Sequence, residues 1–332
     1  MTSRGADRRS GEFELIAKYF APLARDAPGA LGLADDVAIL TPPVGRDLVL
    51  KTDSLIEGVH FLRDDPANTV GRKALRRALS DLAAKGAEPI VYLLALALPE
   101  WPDESWLEAF ASGLASDQAE FGIALVGGET NATPGPLTLT VTAIGHVPQG
   151  ALIRRDGANI GDCVFVTGTV GDSGAGLELA KGIATFAGEA NREFLLSRYR
   201  LPLPRLAFGH ALRSVASASI DVSDGLLADL GHIADASKVR VEIRAVQLPM
   251  SRPLLGAWGE DGGAGAQAAT AGDDYEIAFT APASHRESVF EVGRRTATAV
   301  TPIGHVVAGT GVALLDAHDR DIPVVLKGYA HF

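Results

Sequence analysis

The stretch NTVGRKALRRALSDLAAK, residues 68–85, followed after a short link by YLLALAL, residues 92–98, decides the fold class. The first segment repeats its apolar residues at helical spacing, and the second is a short apolar run of strand length. Working outward, the alternation continues. Residues 13–19 have helical period, 37–40 and 48–51 read as short β runs, 104–121 as a helix, 123–126 as a strand and 137–147 as a longer strand. Residues 148–159, with Pro148, Gly150 and Gly157, carry turn chemistry and mark a junction. The pattern then restarts, with strand 163–167, a helix from Ala175, helix 204–215, strand 219–222, helix 226–237 and strand 240–243. Residues 259–272 are rich in Gly and Ala and read as a flexible loop leading into strand 275–280. A chain of 332 residues exceeds one ordinary core. The expectation is therefore an α/β protein of two domains, 1–148 and 149–332.

Thirty basic against forty-one acidic side chains give a net charge of -11. A nucleic-acid or anionic-membrane surface needs clustered Lys and Arg, so neither partner is expected. No stretch approaches the ~20 apolar residues of a membrane span, and residues 1–10 read as a loose polar tail without the apolar core of a signal peptide. The single cysteine, Cys163, lies in the apolar run Cys163-Val164-Phe165-Val166 and reads as a buried strand residue. With no partner for a disulfide, a reducing, cytoplasmic setting is expected.

The chemistry resides in scattered acids. Magnesium takes hard oxygen ligands, keeps several waters and shares itself with substrate phosphates, so its sites are sparse carboxylates at the ends of apolar strands. Asp53 follows Leu48-Val49-Leu50-Lys51-Thr52, Glu129 follows an apolar run and Gly127-Gly128, and Asp35-Asp36 precede Val37-Ala38-Ile39-Leu40. Each alone is equally a turn-forming or solvated acid. Asp81 is more telling. Helical geometry sets it beside Val70, Ala74 and Ala78 rather than with Arg72, Lys73 and Arg76, and it sits near the helix C-terminus, where the dipole disfavours negative charge. A nearby cation would resolve both conflicts; so would a salt bridge to Arg77 or Lys85 on the same helix.

In the second half, Ile220-Asp221-Val222-Ser223-Asp224-Gly225 sets two acids at a strand-to-helix passage. Ser223 or Asp224 would serve as the helix N-cap. Asp221 lies inside an apolar strand, where an unpaired acid is costly. Asp273-Asp274 precede Tyr275-Glu276-Ile277 in the same order of turn, acid and strand. Residues 167–176, a Gly-rich loop between strand and helix, could offer backbone N–H groups to a phosphate, although no Walker ending is present. Arg155 could add a fixed positive fork. The lone cysteine and dispersed histidines exclude a standard structural zinc site, and no Gly-x-Ser-x-Gly elbow occurs.

Taken together, Gly11-Glu12-Phe13, residues 33–38, residues 52–61 (TDSLIEGVHF), residues 79–84 (LSDLAA), Gly127-Gly128-Glu129-Thr130, Thr167-Gly168-Thr169 with Gly171-Asp172-Ser173, residues 220–226, Gly272-Asp273-Asp274-Tyr275-Glu276 and the ending Lys327-Gly328-Tyr329-Ala330-His331-Phe332 resemble the thiamine-monophosphate kinase family, in order along nearly the whole chain. The resemblance implies the two-domain α/β (α+β) architecture of aminoimidazole ribonucleotide synthetase and selenophosphate synthetase. In it an N-terminal sheet domain dimerises and a C-terminal α/β domain follows, so a homodimer is implied. It implies transfer of the γ-phosphoryl of ATP, the co-substrate, to thiamine monophosphate. Asp35, Asp36, Thr52, Asp53, Asp81, Glu129, Asp221 and Asp224 would hold several Mg2+ ions, with Asp81, Asp221 and Asp224 the most critical. Gly128, Glu129, Arg155 and Ser223 would face the nucleotide, and His60, Asp273 and Tyr329 the thiamine substrate.

The sequence departs from the family pattern at Ala34, Lys51 and Ala78, and carries Glu129 and Asp273 where the family often has Asp and Glu. Lys51 sets an ammonium beside the Thr52-Asp53 pair, to replace one metal or to contact phosphate. A relative with another acceptor, or an inactive ligand-binding relative, are the competing readings.

Overall fold

The computed structural model describes residues 11–329 apart from 185, 187, 261 and 326. The tail 1–10 and the last three residues of the Lys-Gly-Tyr-Ala-His-Phe ending lie outside them. The chain divides into two compact units. One takes the described residues up to Pro42 with Thr52–Ala74 and Ile90–Ala143; the other takes Pro43–Lys51, Leu75–Pro89 and the described residues from Ile144 onward.

The chain enters through α1 (Glu12–Leu15), whose turn widens into a π-helical segment over Ile16–Phe20 and tightens into 3-10 turns over Ala21–Ala24 and Pro28–Leu33. The β run expected over 37–40 does not form. Val37 and Ile39 are exposed there, and Pro42 and Pro43, which lack the N–H donors of a ladder, follow directly.

The first sheet contains β1 (Arg46–Ile56), β2 (Glu88–Leu98), β3 (Ala124–Ala132) and β4 (Thr138–Pro148) in the order β1-β4-β2-β3. Helix α2 (Ala67–Ala84) precedes β2, and α3 (Glu104–Phe121) carries the chain from β2 to β3, which pair in parallel as such a crossover permits. Asp103 starts α3 by accepting the Trp106 N–H at 2.8 Å, and Gly122, at φ 66°, ends it. Two expectations are corrected here. The sequence sets Asp53 and Glu129 at turns that end apolar runs, yet β1 continues to Ile56 and β3 to Ala132, so both acids are strand residues, with Glu129 opposite Ala95. A bulge at Tyr92/Leu93 and two glycines make this continuation possible: a Cβ on Gly128 would fall 1.8 Å from the Leu94 carbonyl oxygen. Helix α2 is also buried beyond its apolar stripe. Lys73 and Arg76 are each 2 % exposed rather than on a solvent side, and Arg76 donates to the Pro202 carbonyl at 3.1 Å.

The second sheet is six-stranded and mixed, built from β5 (Cys163–Thr167), β6 (Ala218–Asp221), β7 (Arg240–Arg244), β8 (Ile277–Ala281), β9 (Val300–Val307) and β10 (Gly311–Leu315) in the order β10-β7-β9-β5-β8-β6. All five residues of β5 are buried, the pattern of a strand covered on both faces. Val164 and Val166 point to one layer, with Leu195 of α5 (Glu189–Arg200), Ala175 of α4 (Asp172–Ala180), Leu230 of α7 (Leu226–Ser237), Leu254 of α8 (Arg252–Trp258) and Ala268 of α9 (Gly262–Thr270). Cys163 and Phe165 point to the other, with Phe208 of α6 (Leu206–Leu212) and Val289 of α10 (Arg286–Arg295); Cys163 is a buried free thiol, as expected. The loop expected over 259–272 is largely α9. Its alanines are strong helix formers, and Ala264, Ala268 and Ala269 are buried.

Candidate functional site

In the second unit, the chain leaves the sheet through the acidic loop 221–225. Asp221 is the last residue of β6, 4 % exposed, and its Oδ2 has no hydrogen-bond partner. Helix α7 begins after Gly225, whose φ of 130° suits glycine. No side chain caps this helix from Ser223 or Asp224, contrary to the sequence reading. Asp229, one turn inside α7, reaches back instead. Its Oδ2 accepts the N–H groups of Ser223, Asp224 and Gly225 at 2.9, 3.1 and 3.2 Å. Burial, with the charges of Asp221 and Asp224 beside it, pushes the Asp229 carboxyl up to about 8.

Two distant segments fasten to the same loop. Asp273 N–H donates to the Ser223 carbonyl and Tyr275 N–H to the Val222 carbonyl, both at 2.8 Å; Tyr329 N–H donates to the Asp224 carbonyl at 2.8 Å. Asp273 and Tyr275 adopt left-handed backbone at φ 65° and 52°, a strained arrangement that the loop contacts hold in place. Five sequence-predicted residues, Asp221, Ser223, Asp224, Asp273 and Tyr329, are thus brought together.

Asp81 meets a cation from an unexpected direction. Lys51 Nζ lies 2.8 Å from Asp81 Oδ2, so a cation that answers the helix-end acid comes from β1. Lys85 Nζ donates to the Ser219 carbonyl, and the Ser219 hydroxyl to the Ala84 carbonyl. Burial lowers Lys85 to about 8, assisted by Arg155 and opposed by Asp221 and Asp81. Burial pushes the Asp221 carboxyl up, against the Ser80 hydroxyl and the charges of Lys51 and Lys85. Lys51, Asp81, Lys85, Arg155 and Asp221 therefore form one electrostatic group.

The Gly-rich loop 167–176 does join β5 to α4, but two of its N–H groups are already used: Asp274 accepts Gly171 N–H at 2.6 Å and Ser173 N–H at 3.2 Å. Asp274 thus occupies the place that the sequence reading offered to phosphate. Next to it the fully buried Glu276 accepts from Thr167, Arg198 and Arg205 at 2.6–2.8 Å. Burial alone would raise its carboxyl; the two guanidiniums outweigh that and hold it low.

In the first unit, Asp35 and Asp36 are exposed in irregular chain, and Gly128 and Glu129 are exposed on β3. Thr52 is exposed and shares a hydrogen bond with Thr142 at 2.9 Å, Asp53 is half-buried on β1, and His60 Nδ1 accepts the Ile56 N–H at 3.0 Å. Among the described residues no three Asp, Glu, His or Cys side chains gather into a group that could hold a metal ion.

A family model described as AIR synthase related protein, N-terminal domain, matches residues 34–147, and the corresponding C-terminal domain model matches residues 159–316. The curated thiamine-monophosphate kinase of Caulobacter vibrioides is 42 % identical over 324 residues, covering 96 % of this chain and 90 % of the relative. The crystal structure of thiamine-monophosphate kinase from Stenotrophomonas maltophilia is 42 % identical, with a TM-score of 0.82 over 92 % of this chain and 96 % of that one. A structure of AaThiL complexed with AMPPCP and TMP is 34 % identical, with a TM-score of 0.77 over 97 % of each chain.

The chain belongs to the thiamine-monophosphate kinase family. It is accordingly an enzyme of the kinase class, and the α/β fold with AIR synthase-related halves agrees with the sequence expectation. Sequence reasoning within the thiamine-monophosphate kinase pattern missed Asp229, Lys85 and the function of Asp274. For Asp229 a signal existed: it is an acid in the first turn of a predicted helix, where the dipole favours one. Asp274 gave none, because its donors lie about a hundred residues away in sequence.

Proposed function

We propose that the enzyme transfers the γ-phosphoryl group of ATP to thiamine monophosphate, giving thiamine diphosphate and ADP. The observation that carries this reading is the binding of AMPPCP and TMP by a relative alike over 97 % of both chains. A phosphate oxygen of the acceptor forms a bond to Pγ as the bond from Pγ to its bridging oxygen breaks, and the electron pair leaves with ADP. The acceptor needs no strong base, since a phosphate monoester with a second pKa of ~6 is already dianionic at neutral pH. Positioning and neutralisation carry the rate of such a step.

The residues fit magnesium by donor chemistry. Asp221 Oδ2 is a buried, unpartnered acceptor, which a cation would satisfy. A sparse set of carboxylates leaves the rest of an octahedral shell to water and phosphate. Asp81, Asp221 and Asp224 in one unit, and Asp35, Asp36, Asp53 and Glu129 in the other, would hold the ions; the Thr52 side chain, turned to the opposite face of β1 and bonded to Thr142, would not. Magnesium, when bound, supplies the charge neutralisation that lets two phosphate anions approach. Arg155, Ser223 and Gly128 would orient the nucleotide, and Asp273 and Tyr329 the thiamine side. Because His60 Nδ1 accepts a backbone N–H, Nε2 carries the ring proton of the neutral imidazole and can donate to a phosphate oxygen. Residues 1–148 would carry nucleotide binding and dimerisation, with 149–332 the second domain.

A homodimer through the first sheet is part of this reading. The edge strand β1 exposes Leu48, Leu50, Thr52 and Ser54 in alternation, with Leu50 66 % exposed. Exposed leucines on an edge strand invite pairing or need cover. Sedimentation of a Leu50→Asp variant should show monomers where the parent shows dimers.

The assay is formation of thiamine diphosphate from ATP, thiamine monophosphate and excess Mg2+. Asp81→Asn should retain the fold and lose turnover, while binding of both ligands without ADP release in the parent protein would overturn the enzymatic reading.

A further inference from the structure

Lys51 presents the most informative departure, because its ammonium lies where a divalent ion is expected. On β1 the alternation of exposed residues at 48, 50, 52 and 54 turns Lys51 and Asp53 to the opposite face, with the fully buried Leu55. From there Lys51 pairs with Asp81 Oδ2 at 2.8 Å. The neighbouring Asp221 keeps its Oδ2 without a hydrogen-bond partner. Lys85 is tied to the Ser219 carbonyl. The Lys51 side chain is one-third exposed, so its head group has a path to solvent.

We propose that Lys51 is a built-in counter-ion for Asp81, which holds that carboxylate in place beside Asp221 and is displaced when magnesium binds there. The proposal rests on the reading of Asp81 and Asp221 as magnesium ligands. An ammonium supplies one charge where the divalent ion supplies two, and the displacement applies to an ion that takes Asp81 Oδ2, the oxygen that Lys51 holds. Filling the site therefore requires the Lys51–Asp81 pair to break. A partly exposed pair is worth little, so the displacement should raise the magnesium concentration needed by about fivefold rather than by orders of magnitude.

The test uses the full chain, with Mg2+ alone as the probe, at constant ionic strength. Thermal unfolding is followed in EDTA and across a magnesium titration for the parent, Lys51→Met and, as a control for net charge, Lys181→Met. Lys51→Met should melt lower than the parent in EDTA, regain the parent value in saturating magnesium, and reach its half-maximal shift at about fivefold less magnesium. Lys181→Met should follow the parent. A parent that responds to magnesium with an unchanged midpoint in Lys51→Met overturns the displacement alone, as does an equal shift in Lys181→Met. No magnesium response in any of the three overturns the ligand reading and the displacement together.

Discussion

Asp229 holds the acidic loop by its backbone, and its removal should loosen that loop before anything else. Asp229→Ala strips three N–H groups of their acceptor, those of Ser223, Asp224 and Gly225. At about 1 kcal/mol for each lost bond the cost is roughly 3 kcal/mol, reduced toward 2 because the carboxyl no longer has to be buried. For a unit of this size that lowers Tm by about 5–10 °C, at ~2–4 °C per kcal/mol. Asp229→Asn keeps a carbonyl oxygen that can accept the same donors, and should stay within about 1 kcal/mol of the parent. Trp258 lies in the second unit, whereas Trp101 and Trp106 lie in the first. Fluorescence of Trp258 in a Trp101→Phe, Trp106→Phe background therefore reads the correct unit during urea unfolding. Amide exchange gives the local check: the amides of residues 223–225 should lose protection in Asp229→Ala and keep it in Asp229→Asn. Unchanged protection in the alanine variant, or equal damage from asparagine, would refute the role assigned to this carboxylate.

Glu276→Leu leaves the guanidiniums of Arg198 and Arg205 without their carboxylate in a buried setting; a loss of roughly 3–5 kcal/mol is expected in denaturant titration, and a loss under 1 kcal/mol would contradict it. Gly128→Ala drives a methyl into the Leu94 carbonyl. It should cost about 1–3 kcal/mol or more through displaced strands, visible as a lower melting point, and an unchanged melting point would contradict it. Lys85 titrates near 8 in the fold against 10.5 when free, so the unfolded chain holds its proton longer. Parent stability should then rise relative to Lys85→Met as pH climbs from about 8 to 10.5, at up to ~1.4 kcal/mol per pH unit. Parallel pH profiles for the two proteins would exclude this.

Regular alternation was the legible part of the fold. Strand 163–167 and helices 104–121 and 226–237 were readable to the residue, because apolar period and end signals coincide there. The misreadings have specific causes. The Gly/Ala run over 259–272 looks like a linker until tertiary burial of its alanines makes α9 worthwhile. β3 was cut short at Val126 because a Gly-Gly pair signals a turn, whereas here it admits a neighbouring backbone. Strands β9 and β10 and helices α5, α8 and α10 are not legible in the sequence, because their periodic segments are short.

The site was legible in its residue types and not in its bonds. Asp81 shows the difference most clearly. Its position near the end of a helix and at the margin of an apolar face requires a positive charge nearby, and that requirement can be read from one helix alone. Which charge supplies it cannot, because Lys51 arrives from β1, thirty residues upstream, by a pairing that no local rule contains. The same holds for Asp221. An acid in an apolar strand demands compensation, yet the compensation is distributed over Ser80, Lys51 and Lys85 from two other elements. A sequence therefore announces an electrostatic debt at a residue, and the fold decides whether a side chain or a bound ion settles it. At Asp81 a lysine answers it, with Lys51 Nζ 2.8 Å from Oδ2, and the proposed competition with magnesium turns on that pair.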